Sequence, residues 1–332
     1  MRWVSGIVAT VAVAFLIGLI VLARAGGGPE ASPTHVATAP SPATAPPLDA
    51  GNGPIGDAPL VRPLALRRGP ARFADPFRDP PRAAMVYDLD SGEVLWSRAP
   101  DRDLPIASLT KMMTALLVVT SAPARDRVRI TREALAYQGS GVGVLPRGKR
   151  VQLETMLYGL LLSSGNDAAI ALAQHVAGTV PRFVDAMNAQ ARALGLRCTR
   201  FGSPSGFEEV RRQRQAANRS CASDLAVLGR AVLDQPRLAR IVAARSAVRS
   251  MAIKGGKVEL YNHNPLLKER YPGTLGIKTG YTDAAGRCLV AAAERRMPDG
   301  RVRRLGVVLL HSPDPGRQAK ALLRRGFAAL AG

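Results

Sequence analysis

Thirteen of the chain's 25 prolines fall within the 57 residues Gly26–Arg82, among Ala, Thr, Ser and Gly. Proline fixes φ and brings no backbone N–H, so this stretch supports neither a helix nor a sheet ladder of its own. It reads as a semi-extended linker of polyproline II character, reaching up to roughly 170 Å at about 3.1 Å per residue. Ahead of it, Trp3–Ala23 runs 21 residues without a charge between Arg2 and Arg24. As a helix that run extends about 31 Å, enough to span a bilayer. A core helix seldom starts at the third residue with no polar face, so the run reads as an export segment. Its fate is open: Ala23-Arg24-Ala25 is a small-x-small cleavage site, yet the run is longer than most signal peptides carry. In either case the amino-terminal stub stays in the cytoplasm and the rest goes outside. The expected organisation is residues 1–25 as signal peptide or membrane anchor, 26–82 as linker, and 83–332 as one catalytic-sized domain.

Within that domain, Ala83–Asp88 and Glu93–Ser97 flank a Gly-containing turn and predict a hairpin. Ser108–Thr120 places Met112, Leu116 and Val119 at helical spacing, with Ser108 at the helix start. Further helices are expected over Leu153–Leu162, Asp167–Val176, Pro181–Leu194 and Ala222–Leu233. Apolar runs of strand length follow at Gly276–Gly280, Cys288–Ala293 and Leu305–Leu310, then a last helix over Arg317–Leu330. Strands, a helical block, strands and a helix predict an α+β domain: an antiparallel sheet whose first and last elements meet, flanked by helices, with a helical subdomain inserted between them.

Lys and Arg total 46 against 25 Asp and Glu, a net charge of +21, but aromatic residues are only 5%. A nucleic-acid surface of that charge would interleave stacking aromatics, so nucleic acid is not the expected partner. The Arg residues are scattered along the sequence, and the charge favours an anionic surface such as phospholipid head groups or acidic wall polymers.

Three short motifs carry chemistry. Ser108-Leu-Thr-Lys111 sets a hydroxyl and an amine on one helix face; a lysine can take a serine's proton only if burial or another cation lowers its pKa. Taken alone, the same four residues describe a helix cap beside a solvated lysine. Ser164-Gly-Asn166 sits between two helices and offers a hydroxyl to pass a proton and an amide to hold a substrate carbonyl, although such residues also make ordinary turns. Lys278-Thr279-Gly280 lies on a strand, where the glycine admits a close backbone and the cation and hydroxyl would receive a carboxylate; an exposed strand lysine is the plain alternative. In this order the three form the motif set of penicillin-binding proteins and class A β-lactamases.

Beyond the motifs, the sequence resembles the D-alanyl-D-alanine carboxypeptidase family, the low-molecular-mass penicillin-binding serine peptidases. Leu104–Leu117, Leu161–Ala169, Asn264–Leu267, Gly276–Thr282 and Ala285–Val290 all look like that family's blocks, and the resemblance covers about residues 83 to 332. It implies a β-lactamase/transpeptidase-like fold and acyl transfer on the terminal D-Ala-D-Ala of peptidoglycan stem peptides, outside the cytoplasm. Ser108 would be the nucleophile, Lys111 its base, kept neutral in part by Lys278, and Ser164 a proton relay to the leaving D-Ala. Asn166 would hold the substrate backbone, while Lys278 and Thr279, with Gly280, would bind the terminal carboxylate. The backbone N–H groups of Ser108 and Tyr281 would form the oxyanion hole. No metal or organic cofactor is implied, and β-lactams would trap Ser108. Many family members continue into a β-rich domain and an anchoring helix, whereas this sequence ends at Gly332, so membrane attachment is expected through residues 3–23.

Other sites weigh less. The histidines at 35, 175, 263 and 311 have no metal-ligand spacing, and no Gly-x-Ser-x-Gly elbow occurs. Gly143–Lys149 imitates a phosphate-binding loop, but Arg150 stands where a magnesium-binding hydroxyl belongs. Cys198 and Cys221 flank a polar loop in an oxidising compartment and are expected to form a disulfide, with three reduced thiols as the alternative; Cys288, in an apolar strand, is expected to be a buried thiol. A β-lactamase would need a water-activating Glu, typically with Asn four residues on. Glu208 and Glu209 are followed at that distance by Arg212 and Gln213. A wall-tethered protein that senses penicillin or muropeptides without turning them over is the remaining rival.

Overall fold

The structure is a computed structural model that describes residues 60–207 and 218–331; Trp3–Ala23, the Pro-rich stretch up to residue 59, and Glu208 and Glu209 with the residues that follow them lie outside the described residues. Along the chain come β1 (Arg67–Arg68), β2 (Ala83–Asp88), β3 (Glu93–Arg98) and β4 (Leu104–Pro105). One turn of 3₁₀ helix over Ala107–Thr110 then runs into α1 (Lys111–Ser121). Next are β5 (Arg127–Arg129), α2 (Arg132–Leu135), β6 (Arg150–Gln152), α3 (Leu153–Leu161), α4 (Asn166–Ala177) and α5 (Val180–Ala193). After β7 (Arg219–Ser220) follow α6 (Ala222–Leu233), α7 (Pro236–Ala243), β8 (Ser246–Ser250), β9 (Lys257–Tyr261) and α8 (Pro265–Lys268). The chain closes with β10 (Thr274–Thr282), β11 (Gly286–Arg296), β12 (Val302–Ser312) and α9 (Pro315–Ala329).

Six strands form the main sheet in the order β1-β3-β2-β12-β11-β10, and apart from the parallel β1/β3 pair its ladders are antiparallel. The expected meeting of first and last elements is the β2/β12 ladder, with Ala83 opposite Leu310 and Val86 opposite Val307. All six residues of β2 are buried, because successive side chains point to opposite faces and both faces are covered. Met85 and Tyr87 pack with α1 and α6 on one side; Ala84 and Val86 pack with Leu322, Leu323 and Phe327 of α9 on the other. α1 is buried from Lys111 through Val118, so it lies at the centre of the helical block and not on its surface.

The structure corrects the sequence reading in three places. The 3₁₀ turn, not the α-helix, carries Ser108, and Lys111 opens the helix. α7 and the β8/β9 hairpin fill a stretch for which no element was expected, although Pro236 at a first helical position with Leu238, Ile241 and Val242 inward carried the signal. The folded unit also begins before Ala83. Leu60 N–H donates to Gln190 Oε1 at 3.2 Å, Leu60, Val61, Leu64 and Leu66 pack on the core, and Phe73 stacks on Trp96 with ring centroids 6.1 Å apart. A proline-rich strand has no core of its own, yet its apolar side chains can be buried against a sheet that already exists. β1 also covers the outer edge of β3, leaving β10 as the other edge strand.

Candidate active site

At the start of α1, β10 and the 3₁₀ turn come together through missing side chains. A Cβ on Gly280 would stand 2.9 Å from Ile106 O and 3.2 Å from Ser108 N, so only glycine lets the strand lie this close to the Ser108 backbone. Gly206 does the same from below: its φ is +77°, and a Cβ there would overlap Ala107 O at 1.9 Å. That contact threads the Ser205–Gly206 backbone beneath the turn. Ala107 (φ +48°), next to Ser108, and Ser164 itself (φ +59°) both hold left-handed backbone that non-glycine residues rarely adopt.

Lys111 is fully buried, and its Nζ has three partners: Ser108 Oγ at 2.7 Å, Asn166 Oδ1 at 2.7 Å and Ser205 O at 2.8 Å. Asn166 Nδ2 donates to Gln138 O at 2.5 Å, which fixes its oxygen toward the lysine. A neutral amine has two N–H donors and one lone pair. With the donors aimed at two oxygens that can only accept, the lone pair is left for the Ser108 hydroxyl. Burial holds Lys111 well below its ordinary value, the charge of Lys278 adds to that, and Asp167 opposes it. Burial is thus the larger cause, and the neighbouring cation expected from the sequence comes second.

The second motif is placed by the start of α4. Ser164 and Asn166 are both buried, and Asn166 opens the helix. Asp167, wholly buried, accepts from Val142 N at 2.9 Å and Gly143 N at 3.0 Å, while Asn166 N–H donates to Ser140 O at 2.8 Å. The two residues clamp the loop 138–143 beside the site. In this arrangement the Asn166 amide is engaged by Lys111 and Gln138, so its oxygen orients the Lys111 amine.

Lys278 is buried and donates from Nζ to Thr279 O at 2.9 Å; desolvation pulls its pKa down to about 7. Two residues before Gly280 on β10, it shares the strand face that meets the Ser108 turn. A cleft of about 910 Å³ opens in front, where Ser108 and Ser164 meet Thr279, Gly280 and Tyr281. Ser140, His263 and Arg287, to which the sequence reading gave no role, also line it. Arg287 stands opposite Tyr281 in the β10/β11 ladder and donates to Pro313 O at 3.0 Å. Burial, with Lys278 and Lys268, keeps the His263 pKa below its usual value. Nothing in a single sequence marks these positions, because they reach the cleft through sheet register and loop packing. Cys198 and Cys221 form a disulfide with Cα atoms 5.6 Å apart, and Cys288 is a buried thiol with Sγ 3.6 Å from Ala285 O.

A serine–lysine pair at the head of a central helix, faced by an edge strand of a five-stranded antiparallel run, defines the penicillin-binding, β-lactamase-like fold. The family profile described as D-alanyl-D-alanine carboxypeptidase matches residues 78–310, and the chain belongs to that family. It is 36% identical to D-alanyl-D-alanine carboxypeptidase DacB2 of Mycobacterium tuberculosis over 75% of this chain and 83% of that one. It is 32% identical to DacF of Bacillus subtilis over 74% of this chain, but spans only 61% of DacF's length. The crystal structure of a D-alanyl-D-alanine carboxypeptidase from M. tuberculosis superposes with a TM-score of 0.69 at 34% identity, covering 81% of this chain and 96% of that one.

Proposed function

We propose that this protein is a serine-type D-alanyl-D-alanine carboxypeptidase that removes the terminal D-Ala from peptidoglycan stem peptides. The observation that carries the reading is the Lys111 amine, buried, pinned by two acceptors and 2.7 Å from Ser108 Oγ. Ser108 Oγ attacks the penultimate D-Ala carbonyl carbon as its proton passes to Lys111 Nζ. The backbone N–H groups of Ser108 and Tyr281 receive the oxyanion. The C–N bond breaks, the leaving D-Ala nitrogen takes a proton by way of the Ser164 hydroxyl, and an ester remains on Ser108. Water then attacks the ester, again giving its proton to Lys111, and the freed Ser108 oxygen is reprotonated.

The terminal carboxylate lies on the Thr279 hydroxyl, with Lys278 charged behind it and Gly280 leaving room; Arg287 supplies a second cation at the cleft wall. β-Lactams present a carboxylate and a strained carbonyl to the same groups and acylate Ser108. Trp3–Ala23 serves as export segment or anchor, the Pro-rich residues up to about 59 as tether, and the domain works outside the cytoplasm. Among the described residues no helix is long and apolar enough to cross a membrane.

The test is intact mass of the full chain in detergent after benzylpenicillin, beside Ser108→Ala, together with D-Ala release from a peptide ending in D-Ala-D-Ala. One lasting adduct absent from the variant, with D-Ala released, is expected. An adduct without D-Ala release would mean a sensing protein; penicillin consumed with no lasting adduct would mean a β-lactamase.

A further inference from the structure

One short stretch of the chain, residues 125–150, concentrates exposed cations. Arg125, Arg127, Arg129, Arg132, Arg147, Lys149 and Arg150 all belong to the β5/β6 hairpin or its flanks, and all seven are exposed. None of the ion pairs among the described residues includes any of them. Some surface arginines elsewhere are neutralised, as in Arg68–Asp101, Arg72–Glu93 and Arg304–Asp90, and others without an ion pair, such as Arg192, Arg240 and Arg325, stand on three separate helices. The two acids of this stretch are turned away from it: Asp126 pairs with His175, and Glu133 accepts from Gln174, both on α4.

The hairpin's register sets like charges side by side. Val128 and Val151 point inward and are buried, so Arg127, Arg129 and Arg150 share the outward face. Arg129 stands directly opposite Arg150, and like charges in that position destabilise a ladder. The Arg127 and Arg150 guanidiniums each reach across to the other residue's carbonyl at 3.3 Å, which keeps both cations on the outer face. A row of uncompensated charges held this way is what an anionic partner would neutralise.

We propose that the β5/β6 hairpin is a docking face for a phosphodiester-linked polyanion, such as a polyol phosphate polymer of the cell wall. The location of such a partner rests on the extracytoplasmic reading above, but the binding itself is independent of the catalytic site: none of the seven residues lines the cleft. A polymer fits better than a bilayer. The outward ladder positions are Arg127, Arg129, Arg150 and Gln152, with no aromatic or aliphatic side chain to enter acyl chains, which peripheral membrane binding ordinarily adds to charge. Base readout of a duplex or stacking on a single strand would need deeper readers or aromatic rings that the outward ladder positions lack.

The experiment uses the full chain in detergent and measures binding of fluorescent poly(glycerol phosphate) at several salt concentrations. Its variant combines Arg127→Gln, Arg129→Gln and Arg150→Gln; its control combines Arg192→Gln, Arg240→Gln and Arg325→Gln, three exposed arginines on separate helices. Wild type should bind, the hairpin variant should lose at least tenfold in affinity with a salt slope shallower by about 2, and the control should lose less than threefold. Benzylpenicillin acylation, unchanged in both, shows that the fold is kept and separates this proposal from the catalytic one. Equal losses in the two variants would reduce the effect to net charge and overturn the proposal, as would no binding by wild type. A hairpin-dependent preference for phosphatidylglycerol over phosphatidylcholine vesicles, without polymer binding, would assign the face to a membrane and overturn it too.

Discussion

Asn166 Oδ1 accepts a hydrogen bond from Lys111 Nζ at 2.7 Å, across 55 positions of sequence and between the first turns of two different helices. Together with Ser205 O it decides which way the amine's lone pair points. Asn166→Leu removes that acceptor and leaves a buried N–H without a partner, so the amine rotates among other directions. The rate of penicillin acylation should fall about a hundredfold, within the range ordinarily supplied by a positioned base. Stopped-flow acylation kinetics would check this, and a rate within threefold of wild type would remove Asn166 from the base's support.

The two buried lysines set the response to pH. With the Lys278 pKa near 7, the cation facing the substrate carboxylate is lost in the free enzyme above neutrality. KM should therefore rise about tenfold per pH unit from 7 toward 9, while kcat changes little because a bound carboxylate raises the Lys278 pKa again. Folding responds in the opposite sense to substrate capture. Between about pH 7 and the ordinary lysine value the unfolded chain holds more protons than the native one, so stability increases with pH across that window. A pH-independent KM, or a melting temperature that falls between pH 7 and 9, would contradict the assignment.

Asp167 ties the loop 138–143 to α4 through Val142 and Gly143, and its charge favours the protonated form of Lys111. Asp167→Asn turns one acceptor into a donor facing a backbone N–H. A loss of about 2 kcal/mol in stability follows from the unsatisfied pair. Since Ser140 lines the cleft, KM should rise as the loop loosens. The acidic limb of the acylation profile should move to lower pH, because Lys111 then gives up its proton more readily. A purely structural aspartate would lower stability and leave that limb in place.

Gly280→Ala tests the contact between strand and nucleophile. The new methyl meets Ile106 O and Ser108 N, so β10 must retreat by a few tenths of an ångström from the Ser108 turn. Acylation should slow by a factor of 10 to 100 with the melting temperature reduced only slightly, as the strand edge moves and the core does not. Unchanged acylation would show that the close approach is not needed for chemistry.

The Cys198–Cys221 disulfide closes a loop with a sequence separation of 23, for which chain entropy gives about 3 kcal/mol. Reduction, or the double Cys→Ala variant, should lower the melting temperature by several degrees and leave acylation at 25 °C close to wild type. Differential scanning calorimetry with and without reductant measures the first, and penicillin binding the second.

Local pattern was enough for much of this protein. Residue alternation and helical spacing gave the hairpin at Ala83, the helices from Leu153 to Leu233 and the three closing strands, because each signal is written within a dozen neighbouring residues. The order of Ser108, Lys111, Ser164, Asn166, Lys278 and Thr279 likewise sufficed to suggest acyl transfer. What tertiary structure decided lies between distant segments. Asn166 is also the holder of Lys111, a contact the sequence did not show, since a side chain's partners depend on where another helix ends. Arg287 and His263 entered the cleft wall through ladder register and loop packing that no short window contains. Residues 60–82, apart from any core by composition, became part of the domain because a surface elsewhere in the chain was there to receive them. Burial, which sets the protonation of both lysines, belongs to the assembled fold and is absent from any segment taken alone.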